Sequence, residues 1–492
     1  MLPSGRFRHR SWNTMARMRL IRTVSLMVFC AALAGCRSNT QLGSQVQNTG
    51  NSSVVLAMTD TPPSNVSILS AKVTLTGATL TPGNVTLFSG STTVELTRLQ
   101  TDIAYLATAT NMPAGNFTSV TLTFANPVLT IENDTASVIV SGTTTCNVGA
   151  ICTIAPTTVA NLSTKVPLTS FTISSGNNAG LLIDVNLDNL LSSALAADFS
   201  AGTTATSFIP AGTGAPLVGA EDVIGQVSSI STSAGTFTLT NATGSYTLKV
   251  DNTSTFFQFS CGTPGISCLQ NGQIVSVDVG IQSDGTLLGR NIVFEDADSS
   301  DTEVEGMVVS TNLGSQQFNI VTLSESATVS GLNIGDVATV QYSISPATPF
   351  DIDLVHADNV QISTSGYSFA PLTTPTDLAV GQQVSIRRNT SSSGTSLHAD
   401  RVRLRSTRVA GSVGSVGSFT FFMASLPFII TGHGFSTIQV QDSSSLAILS
   451  NETGETIPFS QIANNLDIAS RGPMFNVGGQ LTQVASKIEL KP

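Results

Sequence analysis

The chain has 492 residues, of which 41% are apolar and only 11% are charged, and its formal net charge is −10. Single hydrophobic cores stop growing near ~250–300 residues, so this length predicts several domains. The charged share lies far below the usual ~25%, and Thr, Ser, Gly, Val and Asn take its place. This composition is typical of a β-protein with uncharged turns, and its apolar content excludes wholesale disorder.

The first 35 residues have the features of an export signal. They contain six arginines and no acidic residue, and an apolar run extends from Val24 to Leu33. The run is shorter than the ~20 residues of a membrane-spanning helix and fits the apolar part of a secretory signal. Removal of the signal leaves a net charge of about −16. Such a charge makes nucleic acids and anionic lipid headgroups poor partners.

The segment Leu33-Ala34-Gly35-Cys36 ends this signal and resembles a bacterial lipobox. The resemblance implies that the thiol of Cys36 carries a diacylglycerol, whose two acyl chains suffice for stable anchoring, and that the new α-amino group is a site for a further acyl chain. Arg37 follows, and no Asp stands there to signal retention in the inner membrane, so we expect an outer-membrane lipoprotein. The alternative is an ordinary signal peptide, with Cys36 incidental. Residues 1–35 are the predicted signal, and residues 36–52 the lipidated, flexible tether.

Residues 53–200 contain short apolar runs with a period of two, as in Val54, Leu56 and Met58. Strands that recur every ~8–12 residues between turn signals predict a β-sandwich. Leu99 to Ala107 is the one segment here that we expect to be a short helix. Residues 201–222 are rich in Ala, Gly, Ser, Thr and Pro and are predicted to form a linker with some strand character near Phe208.

Several segments of this first domain resemble the bacterial envelope family called domain of unknown function 4382. They are Val54 to Pro62, Val66, Ala71 to Leu75, Ala114 to Thr118 and Gly180 to Asp188. The resemblance covers roughly residues 53–200. The family has no established activity, so the resemblance implies a domain and no catalytic residue.

A repeat follows, which opens three times with the pattern Val-x-Gly-x-Val, centred on Gly225, Gly306 and Gly411. A strand with a central phenylalanine comes after each opening, at Phe237, Phe318 and Phe419. Later segments match as well: a Gly-x-x-Val strand at Gly272, Gly335 and Gly381, then closing strands that include Asn291 to Val293, Leu354 to Val360 and Leu397 to Val402.

The repeats resemble the small β-barrels of domain of unknown function 5666. We expect three units, over residues 223–296, 303–408 and 409–492. The middle unit has two Gly-x-x-Val strands for one opening, so it is either one enlarged unit or one and a half units. The predicted fold is therefore all-β, with an N-terminal β-sandwich followed by tandem small β-barrel (OB-like) repeats, each a bead with its own core.

The mature chain has two close cysteine pairs, Cys146 with Cys152 and Cys261 with Cys268. In an exported protein such pairs predict two local disulfides. A metal or redox site would need a Cys-x-x-Cys pattern with histidine nearby. Histidine occurs only at His356, His398 and His433 after the signal, and no metal-binding spacing, nucleophile motif or phosphate-binding loop is present. We predict no catalytic residue, no metal site and no cofactor.

Two groups of carboxylates remain as candidate cation sites. Asp184, Asn186 and Asp188 alternate with apolar residues, so on a strand they face one side and offer oxygen ligands to Ca²⁺. A solvated strand face is the alternative. The second group lies between two repeats and is predicted to be a solvated linker, with weak cation binding as the alternative. Its members are Glu295, Asp296, Asp298, Asp301, Glu303 and Glu305.

These observations favour a non-enzymatic binding or surface module of the bacterial cell envelope. The membrane is contacted through the lipid anchor only, and the expected partner is an envelope protein or a glycan. One alternative is a structural spacer or assembly component, and another is a weak Ca-dependent binding protein. The only tryptophan, Trp12, lies in the signal, so aromatic platforms for sugars or single-stranded nucleic acid are scarce.

Overall fold

The computed structural model describes residues 52–61, 67–100, 103–156, 162–191, 196–208, 219–241, 244–251, 255–258, 261, 264–282, 286–297, 302–352, 356–357, 360–361, 363–369, 377–442, 448–451 and 457–491. The predicted signal, Cys36 and the tether up to residue 51 lie outside these ranges and stay predictions. Within the described ranges, no helix has the length and apolarity needed to cross a membrane. Most described residues are in β-strands, so the predicted all-β class is confirmed.

The N-terminal domain, here called the sandwich, packs two sheets around one core. One sheet has the strand order β11-β10-β1-β4. The other has the order β3-β2-β5-β8, with β9 also paired to β5. The strands are β1 Ser52–Thr61, β2 Ser67–Thr81, β3 Val85–Glu95, β4 Ala104–Met112, β5 Gly115–Glu132, β6 Ile139–Ser141, β7 Thr144–Cys146, β8 Ile151–Ile154, β9 Ser163–Ile173, β10 Asn178–Asn186 and β11 Thr203–Phe208. The helical turns are a 3₁₀ turn at Leu96–Gln100, α1 Leu187–Leu190 and α2 Phe199–Gly202.

Strand β1 is buried on both of its faces. Val54, Leu56 and Met58 belong to the sandwich core, as their alternation predicts. Val55, on the opposite face, packs into the core of the first barrel. The first barrel therefore covers a strand face that would otherwise meet solvent.

Three barrels follow the sandwich, and all three have the same strand order. The first three strands form an antiparallel meander, the third pairs in parallel with the fifth, and the fourth pairs antiparallel with the fifth and the first. These pairings close a five-stranded, OB-like ring. Barrel 1 consists of β12 Gly219–Ser231, β13 Thr236–Asn241, β14 Gly244–Val250, β15 Phe256–Gln258, β16 Ile274–Ile281 and β17 Leu287–Asp296, with a 3₁₀ turn at Ile266–Cys268.

Barrel 2 consists of β18 Glu303–Asn312, β19 Gln317–Glu325, β20 Val337–Gln341, β21 Phe350–Ile352, β22 His356–Ala357, β23 Val360–Gln361, β24 Gln383–Arg388 and β25 Ser396–Leu404, with a 3₁₀ turn at Leu313–Ser315. Barrel 3 consists of β26 Ser406–Val416, β27 Thr420–Ala424, β28 Ile438–Asp442, β29 Ile448–Asn451, β30 Asp467–Val477, β31 Gln480–Ala485 and β32 Lys487–Leu490, with α3 Phe428–Thr431 and a 3₁₀ turn at Phe459–Gln461. The fifth strand of the ring is β17, β25 and β31, respectively.

The glycine of each opening motif is required by close packing. Gly225, Gly306 and Gly411 lie on the first strand of their barrels, where a Cβ atom would lie between 2.5 and 2.8 Å from a carbonyl oxygen of the second strand. Phe237 and Phe318 fill the cores of the first two barrels. The sequence predicts that Phe419 is the equivalent phenylalanine of barrel 3. This prediction is wrong, because Phe419 is 49% exposed. The neighbouring Phe421 is fully buried instead.

The middle unit is one closed ring with an insertion. Gly335 leads into β20, the third strand, whereas Gly381 leads into β24, the fourth strand. The equivalent glycine of barrel 1 is Gly272, before β16, so the predicted equivalence of Gly335 with Gly272 is wrong. Of the predicted closing strand Leu354 to Val360, the described residues His356, Ala357 and Val360 belong instead to the small β22–β23 pair, which precedes the fourth strand of the ring in the chain.

Two further expectations for local structure are wrong. Leu99 to Ala107 is not a helix, because a 3₁₀ turn ends at Gln100 and β4 begins at Ala104. Strand β4 pairs with β1, and this tertiary pairing outweighs the local helical pattern. The predicted linker at 201–222 is also too long: the strand character expected near Phe208 belongs to β11, which pairs with β10, and β12 already begins at Gly219.

The four domains pack against one another as well as around their own cores. The described residues belong to one compact unit. Leu69 of β2 shares a hydrophobic cluster with residues of barrels 2 and 3. Direct hydrogen bonds between domains join Lys72 Nζ to Ile334 O (3.2 Å), Thr130 Oγ1 to Gly335 O (2.5 Å), Ile429 N to Ser67 Oγ (3.2 Å) and Gln382 Nε2 to Met474 O (2.8 Å).

The variant Gly306→Ala is predicted to destabilise the protein by about 1–3 kcal/mol, because the added methyl group forces β18 away from the carbonyl oxygen of Val321. Urea denaturation followed by far-UV circular dichroism measures the change. Gly314→Ala, in the same barrel, is the control, since a Cβ at Gly314 has no atom within 4 Å. Equal stabilities of the two variants would contradict the packing argument.

Candidate functional site

The acidic run between barrels 1 and 2 is not a solvated linker. Glu295 and Glu303 are fully buried, and Asp296 and Glu305 are at most 6% exposed. Glu295 and Asp296 end strand β17 of barrel 1, whereas Glu303 and Glu305 begin strand β18 of barrel 2. Asp298 and Asp301 lie outside the described residues. The prediction for this run is therefore wrong for every member that the structure describes.

Three arginines of barrel 2 surround the Glu295 carboxylate. Arg401, Arg403 and Arg405, here called the arginine row, point away from the barrel core because the alternate residues Val402 and Leu404 fill it. Arg405 Nη1 and Arg403 Nη1 each lie 2.6 Å from a different carboxylate oxygen of Glu295. Arg401 Nη2 donates to the Glu295 carbonyl oxygen at 2.9 Å and lies 3.3 Å from the carboxylate. One buried carboxylate of barrel 1 thus binds three guanidinium groups of barrel 2.

The same network continues into the sandwich. Arg405 Nε lies 3.1 Å from Glu305 Oε1, and Arg98 Nη1 lies 2.7 Å from Glu305 Oε2. Arg98 belongs to the 3₁₀ turn that follows β3. Arg405 Nη2 also donates to Ser276 Oγ of barrel 1 at 2.7 Å. We call Arg98, Glu295, Glu305 and the arginine row the junction, because these side chains connect three domains.

The junction is adjacent to two further ion pairs at its edges. Arg387 Nε lies 2.5 Å from Asp296 Oδ2, and Arg403 Nε lies 3.0 Å from Asp351 Oδ1. Guanidinium groups suit this arrangement because their planar donors bind several acceptors at once and stay charged. Burying these charges costs desolvation energy, and the ion pairs offset it only while every partner is in place. The junction therefore favours one arrangement of the three domains.

Glu303 lies beside the arginine row, and its carboxyl group has a raised pKa. Burial, together with the negative charge of Glu295, raises the pKa of Glu303 from 4.5 to about 8, although Arg401, Arg403 and Arg405 act in the opposite direction. Its Oε1 atom accepts from Arg401 Nη2 at 3.2 Å. Glu303 therefore holds a proton at neutral pH in the folded protein.

A cavity of about 120 Å³ lies beside the junction, and Arg98 contributes to its wall. Its lining is mainly apolar and comes from three domains. Representative residues are Val94 and Leu99 of the sandwich, Val223 and Leu287 of barrel 1, and Leu323 and Ile334 of barrel 2. The cavity is half open to solvent, so a small molecule can enter it.

Glu95 also lines this cavity, but its carboxylate is held by the protein itself. It accepts hydrogen bonds from Ser70 Oγ (2.5 Å), the backbone N–H of Ala71 (2.8 Å) and the hydroxyl of Thr97 (2.8 Å). Burial raises the pKa of Glu95, and these hydrogen bonds lower it in part. Glu95 thus joins β2 to β3 beneath the cavity wall.

Both predicted disulfides are present. Cys146 and Cys152 join β7 to β8, and Cys261 and Cys268 close a loop before β16. Cys146 and Cys268 are buried in the cores of the sandwich and barrel 1. The bonds therefore fasten two surface loops to hydrophobic cores.

The candidate calcium site receives no support from the geometry. Asn186 Oδ1 accepts the backbone N–H of Asn189 at 3.1 Å and thereby caps helix α1. The side chain of Asp188 lies outside the described part of the chain. Among the side chains that are described, no group of three or more His, Cys, Asp or Glu residues could hold a metal ion.

The histidines His356 and His398 do not occupy equivalent positions in the fold. His398 lies on the closing strand β25, whereas His356 lies on β22 of the insertion. The Nδ1 atom of His433 lies 3.1 Å from the carbonyl oxygen of Ile429. His356 and His398 therefore do not lie on two equivalent closing strands, as the match of Leu354 to Val360 with Leu397 to Val402 predicts.

The variant Glu295→Gln is predicted to destabilise the protein by about 3–5 kcal/mol, because it leaves three buried guanidinium groups with too little negative charge. Urea denaturation measures the loss. Asp351→Asn, which removes a partner of Arg403 that is 42% exposed, is the control and should cost at most about 1 kcal/mol. A loss no larger than that of the control would show that the junction contributes little.

Stability is predicted to fall as the pH rises from 5 to 8. In that range the unfolded chain releases the Glu303 proton while the folded chain retains it. Each such proton changes the free energy of unfolding by about −1.4 kcal/mol per pH unit. Glu325, whose pKa burial raises to about 7, adds to the decline. Urea denaturation of Glu303→Gln across this range should show a shallower decline than the wild type. Identical slopes would mean that Glu303 ionises normally in the folded protein.

Comparison with known proteins supports the N-terminal resemblance and adds no activity. No curated protein matches the chain. Residues 51–207 match the model of a family described as a domain of unknown function, DUF4382. The match coincides with strands β1 to β11, so the sandwich is the part of this chain that is similar to that family.

Proposed function

We propose that this protein is a lipid-anchored module of the bacterial cell envelope that binds a partner without catalysing a reaction. The observation that supports it best is the junction, in which the buried Glu295 carboxylate and three guanidinium groups hold barrel 1 against barrel 2. The Arg98–Glu305 pair extends this contact to the sandwich. Domains fixed in this way present their loops in a constant arrangement, which suits a binding scaffold.

The proposed anchor is the acylated Cys36, with the outer membrane as its site. The support comes from the basic and apolar signal that ends in Leu33-Ala34-Gly35-Cys36. Residues 37–51 then connect the lipid to strand β1. The three barrels are proposed to be repeats of the kind called domain of unknown function 5666, on the basis of their shared opening motif and common strand order.

The proposed partner is an envelope protein rather than a glycan. OB-like barrels bind their ligands through a strand face and through loops that include the one between the first two strands. In barrel 3 this loop and its flanks expose Val416, Phe419 and Phe422, with exposed fractions of 39%, 49% and 37%. Exposed aromatic and aliphatic side chains of this kind are typical anchors of protein interfaces.

The second candidate function is a structural spacer or assembly component of the envelope. The packing of all four domains into one unit favours it, because a compact unit transmits a fixed distance. The weak Ca-dependent alternative is less favoured, since Asn186 already caps a helix. The two leading candidates differ in whether barrel 3 has a stoichiometric partner.

Cells that express the full chain are predicted to incorporate a clickable palmitate analogue into the wild type and none into Cys36→Ala. The labelled wild type, captured from detergent-solubilised envelope after mild crosslinking, should retain one stoichiometric protein. The variant Phe419→Ser/Phe422→Ser should lose that protein while it keeps the lipid label.

The matched control is Val477→Ser, which removes another exposed apolar side chain of barrel 3. It should keep both the label and the partner. Label on Cys36→Ala would overturn the anchor. A partner that survives in the double phenylalanine variant would overturn the proposed surface, and the absence of any stoichiometric partner would favour the spacer.

A further inference from the structure

The cavity beside the junction is built by three domains rather than by one core. Val94 and Leu99 come from the sandwich, Leu287 from barrel 1, and Leu323 and Ile334 from barrel 2. Ligand sites occur preferentially at such domain interfaces, with mainly apolar walls and few polar groups. The position of the cavity therefore fits a binding site as well as a packing boundary.

The charged groups of the wall are already engaged with protein partners. The Glu95 carboxylate accepts from Ser70, Ala71 and Thr97, and Arg98 is paired with Glu305 at 2.7 Å. A ligand in the cavity therefore needs no charge of its own to satisfy them. An anionic ligand would also lie near the buried Glu95 carboxyl group, whose ionised form burial already disfavours.

The volume sets the size of the ligand. The cavity measures about 120 Å³, and apolar cavities of ~150 Å³ in proteins accept benzene. We propose that this cavity is a binding site for a small, neutral, mainly apolar molecule, about the size of one aromatic ring. The site is separate from the exposed phenylalanines of barrel 3, so it adds a ligand to the proposed scaffold function.

Binding at this site would act on the junction. Leu99 lines the cavity, and its neighbour Arg98 in the same 3₁₀ turn binds Glu305 of barrel 2. A ligand that contacts all three domains stabilises their packed arrangement by mass action, because the separated domains do not form the cavity. Occupancy should therefore raise the temperature at which the domains separate.

The test uses toluene as the probe. The protein is the full chain with Cys36→Ala, because this variant lacks the proposed lipid and then needs no detergent. Saturation-transfer NMR should show saturable toluene binding, and the melting temperature should rise with toluene concentration. Ala104→Phe and Ala220→Phe place a ring in the cavity from the sandwich and from barrel 1. Each should weaken toluene binding at least tenfold while far-UV circular dichroism stays that of the parent.

The control is Ala463→Phe, which adds the same side chain at an exposed position of barrel 3 and should leave the affinity unchanged. Benzoate, the charged analogue, should bind at least tenfold more weakly than toluene. The absence of saturable toluene binding would overturn the proposal. The proposal would also be overturned if a folded cavity variant bound toluene as tightly as the control does. If benzoate bound as tightly as toluene, the ligand would not need to be neutral.

Discussion

The Glu295 carboxylate accepts from three guanidinium groups that belong to the neighbouring barrel, and the rest of the domain arrangement depends on this contact. Burying an ionised carboxylate with 0% exposure costs a large desolvation free energy unless opposite charges surround it. A single arginine would leave much of that free energy uncompensated. Arg403 and Arg405 each approach one oxygen at 2.6 Å. Partial separation of the barrels would leave both signs of charge buried without partners, so intermediate arrangements are disfavoured.

The three barrels share their internal structure but differ in the charges on their outer faces. Their ring order and the close-packed glycine of the first strand are common to all three, because these features concern the inside of each barrel. The outward positions of the fifth strand differ. Barrel 2 carries Arg401 and Arg403 there, whereas barrel 1 ends its fifth strand with Glu295 and Asp296. Complementary charges on outward positions thus pair barrel 1 with barrel 2 without changing their cores.

Much of the fold could be predicted from local pattern. The alternation around Val54, the two cysteine pairs and the Val-x-Gly-x-Val pattern around each of Gly225, Gly306 and Gly411 report short-range constraints. The junction could not be predicted in this way, because Glu295 and its arginines are 106 to 110 residues apart. The alternation of Arg401, Arg403 and Arg405 with apolar residues was a usable signal for an outward basic strand face. Its pairing with the acidic run required knowledge of how the barrels pack.

The junction should make the packed domains unfold together. Differential scanning calorimetry of the full chain tests this through the ratio of the calorimetric to the van't Hoff enthalpy. We expect one main transition with a ratio near one for the wild type, and an earlier, separate transition when Arg405 is replaced by methionine. Several independent transitions in the wild type, unchanged by Arg405→Met, would contradict it.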